Sequence, residues 1–362
     1  MSDIQESRIS TQRMSVDPCM PAPVLEARLA DAADIIRRGG LVAFPTETVY
    51  GLGANALDGR AVARIFVAKG RPQDNPLIVH IAEIEAVHSV AESVPASAWA
   101  LAREFWPGPL TMVLPRGKLV PEQVSAGLAT VAVRMPSHPA AAALIRASGL
   151  PIAAPSANIS GRPSPTSADH VWADLAGRVE MLVDAGPAGI GVESTVIDMT
   201  VWPPLILRPG GATVEAIRRV IPETDVLPST GIEATGPVKS PGLRYKHYAP
   251  RADLWLYLGD WKTQVDAVAR RAAIENSAGR RVGLLITSET ALALGAVGVR
   301  AVVAEVGSRA DLSSVASALF DGMRRLDQAD VDIILAESYS RAGLGLAIMN
   351  RLERAAGGKI VR

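Results

Sequence analysis

The chain has a single cysteine, Cys19, in 362 residues. A disulfide within the chain is excluded, and a zinc site built on cysteines has no basis. That count fits a reducing compartment. Charge of either sign is not in excess: 37 Lys and Arg balance 37 Asp and Glu. Bulk charge therefore predicts no attraction to nucleic acid or membrane, and any anion site must come from local placement of cations. No uninterrupted apolar run is long enough to span a bilayer, which takes about 18 residues or more. The opening stretch MSDIQESRISTQRMSVDPCMPAP has no apolar centre, so it is not a signal peptide. Residues 1–23 are expected to be a disordered lead, and the cytoplasm is the expected location. Several catalytic signatures are also missing. There is no GxxxxGK[ST] loop, no GxSxG elbow and no HExxH. GLGANA, from Gly51 to Ala56, matches G-x-G-x-x-A. The run before it, PTETVY, is polar, and no helix opens directly after it, so a dinucleotide site is a poor fit. His88 and His170 fall in apparent helices and read as surface or packing histidines.

The remaining composition is that of a globular protein, 48% hydrophobic and 20% charged. At this length about two domains are expected. VLEARLADAADIIRRGG has apolar residues at helical spacing, and Gly39-Gly40 can end that helix. LVAF reads as a buried strand, RAVARIFVAKG as an amphipathic helix and PLIVHI as a strand. EAVHSVAESVPASAWALAREFW reads as mostly helix, LTMVLP and TVAVR as strands, and Pro139 as the first residue of another helix. MLVDAG, STVIDM and LILRPG read as three more strands, followed by a helix in TVEAIRRVI. Residues 24–220 thus form a strand-rich α/β unit. Residues 221–251, rich in Pro, Gly, Ser and Thr, read as a linker. From 252 to 362 strands and helices alternate, which argues for a second domain with a mostly parallel sheet.

Seven short stretches share one grammar: PTETVYGLG (45–53), KGRPQDNPLIVH (69–80), AVRMP (132–136), APSANISGRPSPT (154–166), STVID (194–198), LRPG (207–210) and SPGLRYKHYAP (240–250). Each sets hydroxyl, amide or cationic side chains at a strand end beside Gly or Pro. Pro pre-sets the backbone and Gly permits close approach of a ligand. Loops at strand ends are where α/β proteins carry their sites. Lys69, Arg71, Arg134, Arg162, Arg208, Arg244, Lys246 and His247 supply charge. Thr46, Thr48, Ser156, Asn158, Ser164, Ser194 and Thr195 supply hydrogen bonds. No paired catalytic carboxylate or activated nucleophile accompanies them. Such a set suits phosphoryl or nucleotidyl transfer, where positioning and charge stabilisation carry catalysis. Taken singly, each stretch would pass as a solvated charge or a turn; their joint occurrence in one domain is what points to a site.

KGR followed by SAN resembles the K-x-R…S-x-N pattern of YrdC-like domains, with PTETVYGLG, NPLIVH, AVRMP, ESTVID and RPG in order around it. SPGLRYKHYAP resembles the linker of the long-form threonylcarbamoyl-AMP synthases, and LGLAIMNRLERAA the end of their C-terminal domain. The resemblance runs from residue 24 to 362. It implies an α/β fold, a YrdC-like twisted mixed-sheet catalytic domain plus a smaller Rossmann-like α/β domain. It implies a nucleotidyltransferase that joins L-threonine, bicarbonate and ATP into threonylcarbamoyl-AMP and pyrophosphate. The product would feed threonylcarbamoyladenosine formation beside the anticodon of ANN-reading tRNAs, through a separate transferase complex. By the same resemblance Thr48, His80, Arg134 and Ser194 match positions that hold threonine. Lys69, Arg71, Asn75, Thr130, Ser156, Asn158, Ser164 and Arg208 match positions near ATP, with Lys69, Arg71, Ser156 and Asn158 at the reacting phosphates. His247 or Tyr248, in a linker that folds over the cleft as a lid, would reach the nucleotide. Mg2+ would accompany the triphosphate, held by phosphates and water more than by protein. Ala153-Ala154 stand where some relatives carry a hydroxyl residue, so Ala154 is not carried over.

Two other readings use the same residues less completely. A double-stranded RNA-binding module, making weak salt-dependent contacts to phosphate, would use the cations but leave Thr48, His80, Asn158 and Ser194 unexplained. A dinucleotide oxidoreductase through GLGANA would leave KGR and SAN idle.

Overall fold

The computed structural model describes residues 9–228, 239–240 and 247–362. Short apolar runs closed by Gly, Pro or Asp set the strands of the first domain. They are β1 (Gln12–Ser15), β2 (Val42–Pro45), β3 (Tyr50–Asn55), β4 (Ile78–His80), β5 (Leu110–Pro115), β6 (Thr130–Arg134), β7 (Ile152–Ala153), β8 (Met181–Asp184), β9 (Thr195–Asp198), β10 (Leu205–Arg208) and β11 (Asp225–Val226). They join in one mixed sheet ordered β1-β8-β2-β3-β7-β4-β6-β5-β9-β10-β11. β2, β4 and β9 are buried at every position. A core including Leu52, Ile65, Leu77, Leu101 and Met112 and another including Leu29, Ile36, Phe44 and Leu144 cover the sheet. Fully burying one such side chain is worth roughly 1.5–3 kcal/mol.

Two expectations need correction. Residues 12–15 are not part of a disordered lead: they form β1, parallel to β8, with Gln12 opposite Met181. A strand of sequence QRMS, mostly exposed, carries no apolar alternation to betray it. The start of the expected linker is likewise structured, because Asp225–Val226 pair with β10 as an edge strand. Residues 85–106 are mostly helix as expected, in two pieces: a 3-10 helix over Ile84–Ser89 and an α-helix over Ala96–Phe105. Pro95 stands at the cap of the second, where a missing N–H costs nothing. GLGANA lies in and just beyond β3, antiparallel to β2. The next helix opens only at Gly59.

The second domain is a five-stranded sheet ordered β14-β13-β15-β12-β16. Its strands are β12 (Asp253–Tyr257), β13 (Val282–Ile286), β14 (Val302–Glu305), β15 (Ile333–Glu337) and β16 (Ile360–Val361). Every pairing in it is parallel. Parallel neighbours need crossovers, and four helices supply them: Trp261–Ser277, Ser288–Ala296, Leu312–Gln328 and Gly345–Ala356.

The two domains meet through charge and close backbone contact. Arg324 Nη2 donates to Asp174 Oδ2 at 2.8 Å and to the Pro163 carbonyl at 2.6 Å. His170 Nε2 lies 3.2 Å from Asp321, so it packs at the interface rather than serving a ligand. At Gly191, φ is +80°, and an added Cβ would lie 2.4 Å from the Ala316 carbonyl of the facing helix. Only glycine permits that approach. Val49, Val192 and Tyr248 share an apolar cluster with Leu319, Phe320, Ile348 and Leu352 of the second domain.

Candidate active site

The turn after the helix Gly59–Lys69 shows how the sequence builds the site. Asp58 caps the start of that helix, accepting from the Arg60 and Ala61 amides. Gly70 ends it in the left-handed conformation, φ +59°, and Arg71 N bonds back to the Phe66 carbonyl at 2.9 Å. The chain therefore reverses at Gly70 and carries Arg71 inward. Arg71 Nη2 reaches the carbonyls of Asn75 and Pro76 at 3.3 and 3.2 Å, while its buried Nε has no partner. Burial pushes the Arg71 guanidinium down to about 10, with Arg208 adding to the shift, so it keeps its charge at neutral pH.

Arg71 opens onto a cleft at the ends of β3, β4, β6, β9 and β10. Of the residues expected at the site, Thr48, Arg71, His80, Arg134, Ser156, Ser194, Arg208, His247 and Tyr248 line it. At one end Arg134, 4% exposed, donates to Thr48 Oγ1 at 2.9 Å and stands 2.8 Å from Glu47. His80 pairs in register with Arg134 across β4 and β6. Its pKa is pushed down to about 3, by burial first and then by Arg134, so the ring is neutral and its Nδ1 has no partner. Ser194 Oγ shares a hydrogen bond with Thr111 at 2.7 Å. Arg208 holds the Ser194 carbonyl through Nη2 at 2.9 Å.

Five expected residues stand outside the lining. Lys69 is 1% exposed and donates to the backbone carbonyls of Ser156 and Asn158, so it braces the SAN turn from behind. Burial, then Arg71, holds its pKa well below the usual lysine range. Asn158 faces its own turn: Oδ1 accepts from Ser156 Oγ at 2.5 Å, and Nδ2 donates to the Ile159 and Arg162 carbonyls. Ser164 Oγ donates to Glu193 Oε1 at 2.5 Å. Thr130 begins β6, about 13 Å along the strand from Arg134. Asn75 is 1% exposed, and neither atom of its amide is partnered. Ile78 pairs with Ala132 in parallel, so two residues back along both chains brings Pro76, next to Asn75, towards Thr130. Arg244 and Lys246 lie outside the described residues.

His247 and Tyr248 close the cleft from the far side of the linker. Tyr248 takes φ +63°, unusual for a residue with a side chain. Its ring stacks on Phe320 of the second domain at 5.4 Å. Burial, then Arg71, pushes His247 down to about 3, and its buried Nε2 is unpartnered. Buried polar atoms normally find partners. Here Arg71 Nε, both Asn75 amide atoms, His80 Nδ1 and His247 Nε2 lack them together. A polar ligand at this place would satisfy such a set.

The first domain matches the family profile described as telomere recombination over residues 34–210. The second matches the profile for the threonylcarbamoyl-AMP synthase C-terminal domain over 212–357. The threonylcarbamoyl-AMP synthase of Bacillus subtilis is 48% identical over 98% of this chain and 100% of its own. That of Pyrococcus abyssi is 47% identical over 93% and 96%. The chain belongs to the threonylcarbamoyl-AMP synthase family. The crystal structure of P. abyssi Sua5 complexed with L-threonine superposes with a TM-score of 0.90, at 46% identity, over 97% of this chain and 98% of that one. Membership brings with it an adenylyl-transferring enzyme of two domains.

Sequence reasoning passed over Glu47, Glu193 and Arg351. Glu47 lies inside PTETVY, Glu193 directly precedes STVID, and Arg351 lies inside LGLAIMNRLERAA. A carboxylate inside an otherwise cationic motif set was the available signal. Burial raises the pKa of the Glu47 carboxyl, but Arg134 outweighs it and holds the value below the usual range. For Glu193 burial is again outweighed, by Arg351 and Arg208. Among the described residues no group of three or more His, Cys, Asp or Glu could hold a metal ion. Among the described residues Glu193 is the one carboxylate lining the cleft, and its oxygens accept from Ser164 and Arg351.

Proposed function

We propose that this protein joins L-threonine, bicarbonate and ATP into threonylcarbamoyl-AMP, releasing pyrophosphate and water. The observation that carries the reading is the pairing of two differently built ends in one cleft. Arg134, Thr48, His80 and Ser194 offer a fork of donors and a neutral imidazole to a small hydroxy-amino acid. Arg71, Arg208 and Ser156 offer charge and hydrogen bonds to phosphates a short distance away.

The threonine amine takes up CO2, derived from bicarbonate, as a carbamate. A carbamate oxygen then attacks the α-phosphorus of ATP, the bond to the bridging oxygen breaks, and pyrophosphate leaves. The substrate supplies the nucleophile, which accounts for a site without a protein nucleophile. What the chain must do is hold two anions in line and stabilise the charge that develops. Arg134, fixed by Glu47 and Thr48, would take the threonine carboxylate with its terminal edge. Neutral His80 would accept a proton-bearing group of threonine at Nδ1. Lys69 would act through the SAN turn, setting Ser156 against the phosphates. Asn75 and Thr130 would extend the nucleotide half beyond Arg71. Mg2+ would enter with the triphosphate: among the described residues the one carboxylate in the cleft is already committed, so phosphates and water would make up most of the ion's shell.

The segment ending in His247 and Tyr248 would act as a lid. A carbamate adenylate is labile in water, and Tyr248 held against Phe320 would keep solvent out. Released product would serve a separate tRNA threonylcarbamoyl transferase complex in the cytoplasm. No described helix is long and apolar enough to cross a membrane.

Pyrophosphate release from ATP and Mg2+, with threonine and bicarbonate each omitted in turn, tests the reading. Release that needs both is expected. Release with threonine alone, after rigorous removal of CO2, would replace the proposal with plain amino-acid adenylation.

A further inference from the structure

Glu193 carries the wrong charge for its place. Among the described residues, the other permanently charged side chains lining the cleft are Arg71, Arg134 and Arg208. Glu193 is 6% exposed and sits one residue before Ser194. An uncompensated carboxylate within about 6 Å of a triphosphate oxygen would weaken binding on the order of a hundredfold at an effective dielectric of about 20.

Arg208 of the first domain offsets part of that charge, and the hydrogen-bonded partner comes from the other domain. Arg351, in the helix Gly345–Ala356, is 0% exposed. Its Nε donates to Glu193 Oε2 at 2.7 Å. Its Nη1 donates to the Pro209 carbonyl at 2.9 Å and to Asn350 Oδ1 at 2.8 Å. The guanidinium carbon lies 5.3 Å from the centre of the Tyr248 ring. Arg351 thus holds the residue before Ser194, the residue after Arg208 and the aromatic face of the closing segment. Glu193, pinned at Oε2, accepts a hydrogen bond from Ser164 Oγ at Oε1.

We propose that Arg351 is a positioning residue for the nucleotide, acting through Glu193: it cancels that carboxylate, so the cleft accepts a triphosphate only while the second domain is docked. The inference rests on the ATP reading above. It differs from simple adhesion between domains in one respect. If Arg351 matters because it neutralises Glu193, removing the carboxylate must relieve the loss of the arginine.

Calorimetric titration of full-length protein with Mg-ATP, and separately with L-threonine, tests this. Arg351→Met is expected to weaken ATP binding about a hundredfold, and threonine binding by less than about threefold. Arg351→Met with Glu193→Gln should recover most of the lost ATP affinity. A double variant as weak as Arg351→Met, or weaker, would overturn the proposal. Should Arg351→Met fail to fold, Glu193→Gln and Arg351→Lys decide. Glu193→Gln must bind ATP at least as tightly as the parent, and Arg351→Lys must stay within about tenfold of it. Weaker binding by either overturns the inference. Failure of the parent to bind ATP would overturn the functional reading along with it, whereas absent rescue would overturn this inference alone.

Discussion

Lys69 and Asn158 are joined side chain to backbone: the buried ammonium donates to the Asn158 carbonyl and, at 2.5 Å, to that of Ser156. A lysine braced this way sets the shape of a turn. Removing it leaves two carbonyls buried without donors. Lys69→Met is expected to cost about 2–6 kcal/mol, at about 1–3 kcal/mol for each of two unsatisfied groups, and to raise the KM for ATP more than that for threonine. Lys69→Arg should fare little better, since the site is filled. Chemical denaturation and initial rates of pyrophosphate release check both. A Met variant with parental stability would refute the brace.

Arg134 makes three different contacts at once, to the Gly108 carbonyl at 3.3 Å, to Thr48 and to Glu47. A lysine cannot span them. Arg134→Lys should raise the KM for threonine at least about tenfold, the loss of one charge-assisted bond, with the KM for ATP nearly unchanged. Glu47→Gln should act in the same direction and more weakly. An equal rise in both KM values would place Arg134 outside the amino-acid half.

His80 and His247, both pushed down to about 3, give the fold a pH dependence of known sign. Unfolded histidine titrates near 6.5. Between about 3 and 6.5 the unfolded chain binds protons that the folded chain does not, so stability falls as pH falls. Each histidine should cost up to about 2 kcal/mol at pH 5. Glu47 and Glu193, held below the usual carboxylate range, contribute above their unfolded pKa and lose that contribution as pH drops through the folded value. Denaturant midpoints at pH 7.5, 6 and 5 should descend, and His80→Gln should flatten the descent. An unchanged slope in that variant would contradict the burial argument.

Asp174 binds Arg162 and Arg324 with one oxygen each, both at 2.8 Å, and its side chain is 1% exposed. Asp174→Asn should destabilise by about 3 kcal/mol, because breaking a buried pair strands the remaining charge. Thermal denaturation should show the loss. A midpoint within about 1 °C of the parent would mean that Arg324 is satisfied elsewhere.

Most strands and helices were legible because their apolar spacing is strong. TVAVR became β6, and Pro139 opens a helix as expected. β1 was not legible, since a mostly polar edge strand is fixed by its partner rather than by its own pattern. β3 hid behind two glycines. Motif order assembled much of the cleft, but it could not say which side chains face a ligand. Lys69, Asn158 and Ser164 turn out to hold neighbouring protein atoms, a distinction set by rotamer and packing. Arg351 was beyond reach for another reason. It is 158 residues from Glu193 in the chain, and no local pattern ties the two together.

The Arg351–Glu193 pair also bears on how such a gene could be split or shortened. A first domain working alone would retain a buried carboxylate with only Arg208, a cation of the nucleotide half itself, to answer it. Shedding the second domain would therefore demand a compensating change at position 193, or a cation recruited from a loop nearby. The cheapest such change is a neutral residue at 193. Ancestry by fusion would run the other way: the acidic residue becomes tolerable only once a docked arginine is in place, and thereafter neither half can be lost without the other being rewritten.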